Sequence, residues 1–376
     1  MTRFSFTYPP LTLAVFLSSI SVLGLGADEN NDSTLDVIPK YEMKVSGVLN
    51  VEGAYLSGAY NNQTSELKYQ LRKAKLEVEQ TFFDNFTSKI EVAIDGEYQF
   101  SLSELSFNYQ LFDEYTLSAG LLKNSVGLQN STSSKKIKTM ERSLVSDALI
   151  EDIGLALTLD FNIDDTYLFT SVFQSTENNE ANALGYSTRI AQEIKLRDQQ
   201  LQFGINADFR NYNNYVYQLN KKAELNLAKK NIDSDAVLLN STRLISLDAA
   251  LIHNKLTLQT ELMSKSLDVN TLNFGTAQHT YEGFYVQGSY LFTGSAVKFK
   301  NGNYSKMKLA EKGAFEIVSR YSLLNIKATT NATFSNALVG LNYYVNSNFK
   351  VMSQVSVLND ADESSMALGV SAQTVF

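Results

Sequence analysis

The segment Gly120-Leu-Leu-Lys-Asn-Ser-Val-Gly-Leu-Gln-Asn-Ser-Thr-Ser-Ser-Lys-Lys-Ile-Lys-Thr-Met-Glu-Arg-Ser143 decides how this chain is read. It takes over from an alternating stretch, Tyr115 to Lys123. It then runs, rich in Ser and Lys, toward the next alternating stretch at Ile153 to Phe161. Apolar and polar residues in period two mark a strand with two unlike faces. A long charged loop is therefore set into a succession of strands joined elsewhere by short turns. Loops of that length within a compact fold are functional or disordered.

The same period recurs along the chain. In Leu105 to Leu111 the apolar series is Leu105, Phe107, Tyr109 and Leu111, and Glu104, Ser106, Asn108 and Gln110 form the polar series. In Leu201 to Phe209 the apolar Leu201, Phe203, Ile205, Ala207 and Phe209 alternate with Gln202, Gly204, Asn206, Asp208 and then Arg210. Further runs fall at 153–161, 245–251, 284–292, 315–323 and 337–345. Soluble sandwiches alternate too, so length and turns decide. The runs are about ten residues long, as a tilted bilayer-crossing strand requires. Tight polar turns are expected at Asp84-Asn85, Asp113-Glu114, Asn162 to Asp165, Asp198-Gln199, His253-Asn254 and Asn346 to Asn348. Several are bracketed by aromatics (Phe83 and Phe86, Phe112 and Tyr115, Phe161 and Tyr167), as at a periplasmic rim with an aromatic girdle. Long connections near 57–65, 124–152, 175–184, 211–239, 266–280 and 294–312 are expected outside the cell, although the last breaks strict alternation. The pattern predicts an all-β fold, a transmembrane antiparallel β-barrel of about 16 strands. The loop after Lys123 is expected to fold into the lumen as a constriction.

Composition and termini agree. Past the first residues no apolar stretch approaches the length of a spanning helix. The chain has 376 residues, 20 Tyr, 22 Phe, no Cys and only 3 Pro, so strands are nearly free of breakers, and disulfides, thiolate zinc sites and a cysteine nucleophile are excluded. Residues 1–27 carry Arg3, an apolar stretch from Leu11 to Leu25 and small residues at Gly24, Gly26 and Ala27, the order of a secretory signal peptide. Residues 28–40 are expected to be a short polar segment and 41–376 the barrel. The terminal run Met366 to Phe376 alternates and ends in Phe, which resembles the signature by which barrel-assembly machinery recognises outer-membrane proteins. Net charge is −8, or −9 without Arg3, which argues against a nucleic-acid partner and sits awkwardly with an anion channel unless positive charge is concentrated in the pore.

The central passage strongly resembles the phosphate-selective porin O and P family of outer-membrane channels. Four other stretches are similar to its strands in the right order: Leu71 to Glu79, Tyr281 to Gly294, Gly313 to Ser322 and Val339 to Val345. The chain departs at Ser295, where the family has Glu, and at Phe315 and Tyr343, where it has Trp; this chain has no Trp. The resemblance implies a homotrimer in outer-membrane lipid that passes small anions, such as phosphate or polyphosphate, by passive diffusion, with no cofactor. It matches Arg72 and Lys73 to the family's basic pair, Ser133, Ser134 and Lys135 to the Ser-Ser-Lys of its constriction loop, and Glu104 to an acidic lumen position.

The residues themselves support a pore chemistry. Fixed positive charge in a narrow wall, with hydroxyl donors replacing hydration, selects anions. By parity Lys73, Lys75, Glu77 and Glu79 face one way and Ala74, Leu76 and Val78 the other; the apolar set must meet lipid, so the charged set lines the lumen. Arg72 breaks the alternation at a bulge or the rim. The neighbouring carboxylates could equally neutralise these cations, leaving a general non-specific diffusion porin. A non-conducting structural or receptor barrel plugged by the loop is a third reading. Arg142 is expected to fold the loop through an ion pair. Lys136 and Lys138 could touch the anion or solvate the loop. Arg189, Arg210, Arg243 and Arg320 could form a lumen ladder or pair with Glu193, Asp208, Asp248 and Glu316 in the wall. Asn220 to Lys230 reads as a solvated amphipathic loop or as an anion attractor. Catalysis lacks candidates: the two histidines, His253 and His279, fall at opposite ends of a hairpin, with no G-x-S-x-G nearby and no metal-binding cluster.

Overall fold

Along the strand Gln199–Tyr217, Phe203 and Ile205 are 50% and 61% exposed, whereas Gln202 and Asn206 are 0% and 1% exposed. This inverts the distribution of a water-soluble protein, in which polar groups stay wet. The apolar face needs a hydrocarbon solvent, and the inward polar groups must find partners inside. In the computed structural model, which describes residues 41–61, 64–175, 183–270, 276–294, 298–305, 313–360 and 363–376, the strands resolve this by closing into one antiparallel barrel of sixteen. The expected signal peptide and the segment 28–40 lie outside the described residues.

In chain order the first barrel strands are β1 (Tyr41–Leu56), β2 (Glu66–Phe82), β3 (Phe86–Asp95), β4 (Phe100–Phe112), β5 (Tyr115–Leu122), β6 (Gly154–Ile163), β7 (Thr166–Ser175), β8 (Ala183–Leu196) and β9 (Gln199–Tyr217). A small hairpin, β10 (Asn220–Lys222) and β11 (Lys230–Asp233), follows outside the barrel sheet. The wall continues with β12 (Val237–His253), β13 (Leu256–Asn270) and β14 (Thr276–Leu291). After a second hairpin, β15 (Phe299–Lys300) and β16 (Asn303–Tyr304), it ends with β17 (Ala314–Lys327), β18 (Ala332–Tyr344), β19 (Phe349–Asp360) and β20 (Glu363–Val375). Neighbours in sequence are neighbours in the wall, and β1 pairs with β20 to close it. No helix among the described residues could cross a membrane, and the strands do so instead.

Turns fall within a residue or two of their expected places. The shifts follow positive φ at Arg197 (36°) and Asn254 (53°), which put these residues inside the turns Arg197-Asp198 and Asn254-Lys255. The aromatic rim forms from Phe112 and Tyr115 (5.9 Å), Tyr115 and Phe161 (4.6 Å) and Phe315 and Tyr343 (4.5 Å). Two residues expected there behave differently. Phe82 rather than Phe83 faces Phe86, at 5.9 Å, because Phe83 takes the positive-φ turn position. Tyr167 bonds Asp160 at 2.6 Å and packs at Gly302, inside the barrel.

Two expectations are corrected. Strands do not stop near ten residues: β9 has 19 and β2 and β12 have 17 each, while β5 has only 8. Of the connection near 294–312, the described residues 298–305 do not lie outside the cell. The chain leaves β14 at the end that carries the tight turns, and these residues enter from that, periplasmic, side.

Candidate functional site

The lumen is filled asymmetrically. The loop between β5 and β6, here called L3, crosses it and carries the helical turn Leu128–Ser131 and the short helix Leu144–Leu149, capped by Ser143. Its first part is held where Asn206 accepts from the Gly127 N–H (2.8 Å) and Glu261 from the Gln129 N–H (2.6 Å). Lys138 is buried and donates to Glu316 (2.8 Å), Ser289 (2.7 Å) and Thr257 (3.2 Å), so it pins the loop and does not contact the pore. Arg142 folds the loop through the carbonyls of Gln129, Asn130 and Thr132 at 3.0–3.3 Å rather than through an ion pair. Arg210 and Lys265 bond Glu151, whose carboxyl is held well below its usual range: burial would raise it, but the two cations outweigh burial.

The segment 220–230 is no solvated loop. Ala223, Leu225, Leu227 and Ala228 enter a dry core inside the barrel with Tyr60, Leu144, Val145, Leu149, Tyr281 and Tyr285. Its Glu224 accepts from Arg320 (2.6 Å), Asn336 (2.7 Å) and the Leu144 N–H (2.7 Å). The arginines expected as a ladder or as wall networks take the second role, with partly different partners. Arg189 forks onto Asp248 (2.7 and 3.0 Å), Arg210 pairs with Asp208 (2.8 Å), Arg243 with Asp268 (3.0 Å) and Arg320 with Glu224.

These insertions bury almost every inward side chain from β8 round to β20. Against β1–β5 the burial is incomplete: Val48, Glu52, Ala54, Glu91, Ala93 and Ser106 are buried, but Lys73, Lys75, Glu77, Glu79, Lys89 and Glu104 keep partial solvent access. The open part of the lumen is thus an off-centre slot along this wall. Its outer mouth widens into a cavity of about 560 Å³ lined by Lys68, Lys222, Lys229, Lys230, Asp95 and Glu97. A second, of about 290 Å³, adjoins Arg72, Glu141, Arg142 and Lys221.

Arg72 is the extra residue of a bulge: Lys73 pairs with Asn50 and Leu71 with Val51, leaving Arg72 unmatched. The bulge turns it toward the lumen, where it forks onto Glu141 of L3, with one bond of 2.8 Å. Burial raises the Glu141 carboxyl, yet Arg72, aided by Arg142 and Lys73, holds it below its ordinary range. Arg72 is therefore a clasp rather than a free anion ligand.

Lys75 bonds Glu91 (2.6 Å), Glu91 bonds Lys123 (2.6 Å), and Lys123 bonds Glu104 (3.0 Å). Glu104 in turn meets Lys89 (3.2 Å), and Lys89 meets Glu77 (3.4 Å). The chain ends where Ser46 donates to Glu77 (3.1 Å) and Lys135 donates to Ser46 (3.3 Å). Lys75, Lys89 and Lys123 are thereby balanced by Glu77, Glu91 and Glu104. Lys73 and Lys135 have no carboxylate partner among the described residues. Ser133 is exposed and its hydroxyl accepts from the Lys135 N–H at 3.4 Å; Ser134 is half-buried beside it. The structure does not gather Lys73 with this triplet. Lys135 reaches the level of Ser46 and Glu77, four residues from Lys73 along β2, or about 13 Å at ~3.3 Å per residue. Sequence reasoning missed Lys89, Glu91 and Lys123; the Lys89–Glu91 alternation in β3 was the available signal.

A sixteen-strand barrel with an apolar exterior, a loop folded into its lumen and a charged slot is an outer-membrane porin, located in the bacterial outer membrane. A family model described as phosphate-selective porin O and P matches residues 46–375, and the chain belongs to that family. Among solved structures it is similar to an anion-selective porin from Comamonas acidovorans, with 10% identity, 90% of this chain and 100% of that chain covered and a TM-score of 0.62. It is also similar to the outer membrane channel DcaP of Acinetobacter baumannii (10% identity, 89% and 97% covered, TM-score 0.60). For OmpT of Vibrio cholerae the values are 10%, 89% and 98%, and 0.59. A comparison with curated protein sequences returns no match. At such identities the structural likeness speaks to fold alone. Family and fold are those of a channel rather than an enzyme.

Proposed function

We propose that this porin passes small anions, phosphate or polyphosphate among them, by passive diffusion with a mild anion preference. One observation carries the reading: below the lysine-lined mouth, Lys75, Lys89 and Lys123 are neutralised by contact with carboxylates, whereas Lys73 and Lys135 have no carboxylate at salt-bridge distance among the described residues. Fixed charge in a narrow wall sets ion preference. The lysine at each level is a point charge that binds loosely enough to release, with Ser133 and Ser134 as hydroxyl donors. Because Lys73 and Lys135 stand at different levels and Glu77 and Glu79 are close, phosphate meets one cation at a time. Its affinity is accordingly low, about −4 kcal/mol, or millimolar. The general non-specific porin is the second reading, favoured by the neutral Lys–Glu chain. The family further suggests a homotrimer in outer-membrane lipid. Residues 1–27 would serve as export signal, 28–40 as a short linker, and the strand ending at Phe376 would be read by the barrel-assembly machinery.

The test is a reversal potential in asymmetric potassium chloride, repeated with phosphate. The parent channel should prefer chloride, and Lys73→Glu with Lys135→Glu should invert the preference toward potassium. An unchanged permeability ratio would remove these side chains from the current path. Half-block of chloride current at micromolar phosphate would contradict the weak-affinity reading.

A further inference from the structure

The lumen is entered from both ends, and the two inserted segments interlock. The hairpin β15–β16 rises from the tight-turn side. Its Asn301 and Gly302 take positive φ of 53° and 66°, the geometry of a two-residue hairpin turn. Beyond the turn, Asn303 accepts from the Thr132 hydroxyl at 2.8 Å and donates to the Ser131 carbonyl at 2.5 Å. Lys136 donates to the Tyr304 carbonyl at 2.6 Å. The hairpin thus grips L3 on both sides of Ser133, Ser134 and Lys135. It is itself fastened to the wall: the Gly302 carbonyl accepts from Gln202 (3.0 Å) and Arg189 (3.3 Å), and the Tyr304 hydroxyl donates to Gln259 (2.8 Å). Phe299 and Tyr304 close a dry cluster with Leu128 of L3 and Ala250 and Ile252 of β12.

We propose that the hairpin Phe299–Tyr304 is the footing of the constriction loop. It fixes Ser133, Ser134 and Lys135 from the periplasmic side and seals the lumen beneath L3, so that current is confined to the slot along β1–β5. Asn303 is the positioning residue, because its one amide holds both a side chain and a carbonyl of the turn preceding the triplet. L3 reaches its tip at Ser133–Lys135. From the wall, Lys135 donates to Ser46 at 3.3 Å, and Gln373 and Lys350 donate to the Lys135 carbonyl at 3.4 and 3.5 Å. The residues that precede the triplet, Ser131 and Thr132, are held from outside L3 by Asn303; without that second hold the tip would pivot on its wall contacts across the slot. The proposal stands whichever ion passes.

The chain contains no native cysteine, so a single introduced thiol reports alone. Ser134→Cys probes the tip. Ala250→Cys, buried under the hairpin, probes the sealed side. In the full-length channel, a membrane-impermeant thiol reagent on the periplasmic side should label position 134 slowly and position 250 not at all. Asn303→Ala should raise open-channel noise and speed labelling at 134 by about tenfold, since labelling follows local opening. Asn303→Asp, which keeps the acceptor and loses the donor, should fall between. Replacing Phe299–Tyr304 by a Gly/Ser segment of equal length should open position 250 to reagent and raise conductance about twofold. A merely structural role would lower the yield of heat-modifiable barrel and leave noise and labelling unchanged. Folded Asn303→Ala channel with parental noise and labelling at 134 would overturn the proposal, and so would a folded Gly/Ser variant in which position 250 stays unreactive. If the Gly/Ser variant does not assemble, Asn303→Ala decides.

Discussion

Glu224→Ala removes the carboxylate on which the two outer insertions converge. Glu224 and Arg320 are both 0% exposed at their side chains and lie 2.6 Å apart. The carboxylate also accepts from Asn336 and from the Leu144 N–H that opens the L3 helix. Its loss leaves the buried Arg320 charge with neutral acceptors alone, Thr139, Gln287 and the carbonyls of Glu141 and Arg142, and orphans two further donors. Removing one partner of such a pair costs about 3–5 kcal/mol. The orphaned donors belong to the same network, so their cost is not added separately. The barrel ladder is untouched, so the cost falls on docking of the segment 218–236 and of L3. At about 1.4 kcal/mol per factor of ten, the undocked population rises by roughly two to three and a half orders of magnitude. Single-channel recording should then show flicker to larger conductance levels. Limited proteolysis from the outer side should cut near Lys221 to Lys230, with the unheated gel mobility of the folded barrel retained. Glu224→Gln, which keeps an acceptor for Leu144, should flicker less. A folded Glu224→Ala channel with parental noise and proteolysis would refute the view that this pair locks the insertions.

Two further outcomes follow from the charged contacts. Glu91→Gln releases Lys75 (2.6 Å in the parent) and leaves Lys123 with Glu104 alone, so the chloride-to-potassium permeability ratio from reversal potentials should rise; no change would mean that the Lys–Glu chain lies outside the current path. Acid should open the loop only late: Glu141 and Glu151 are held below their usual range by Arg72, Lys265 and Arg210 once burial is overcome, so their contribution is complete above the unfolded carboxylate value and is lost as pH falls through the lower folded one. The flicker that Glu141→Gln adds to the parent should therefore be as large at about pH 5 as at about pH 8, and an effect that vanishes by about pH 5 would show that this clasp no longer holds L3 there.

Period two made the barrel legible, because a wall between lipid and a polar lumen leaves each residue only two environments. Leu105 to Leu111 and Leu201 to Phe209 needed no tertiary information. The inserted segments were less legible. Asn220 to Lys230 looks solvated by its lysines, yet its alternate Ala223, Leu225 and Leu227 build a core that no bilayer rule anticipates. The hairpin at Phe299 to Tyr304 was obscured because its residues serve a lumen contact rather than a wall strand, which is why the connection near 294–312 was expected outside the cell. At the site, parity sets Lys73, Lys75 and the neighbouring glutamates on one face of β2. What it could not supply was pairing across strands: that Glu91 takes both Lys75 and Lys123, that Arg72 is spent on Glu141, and that Lys138 is buried against Glu316.

The pairing also bears on how a chain of net charge −8 could line a slot with the mild anion preference proposed above. Selectivity is set by the charges an ion meets in the narrow part of its path, not by the sum over the chain. Exposed charges farther than about 8 Å are screened at physiological ionic strength. Among the 40 acidic residues, Asp248, Glu224 and Glu316 are cancelled by buried cations at 2.6–2.8 Å, and Glu42 and Asp84 are exposed toward the tight-turn end. Within the slot Glu77, Glu91 and Glu104 cancel Lys75, Lys89 and Lys123 by contact, leaving Lys73 and Lys135 against Glu79 on the same face of β2 and Glu52 on β1, whose carboxylate accepts from Gln70 and Asn226. The residual field is therefore close to balanced. That balance suits ions that must enter and leave quickly, and it ties the mild preference proposed above to the same short wall, β1–β5, that the inserted loops leave open.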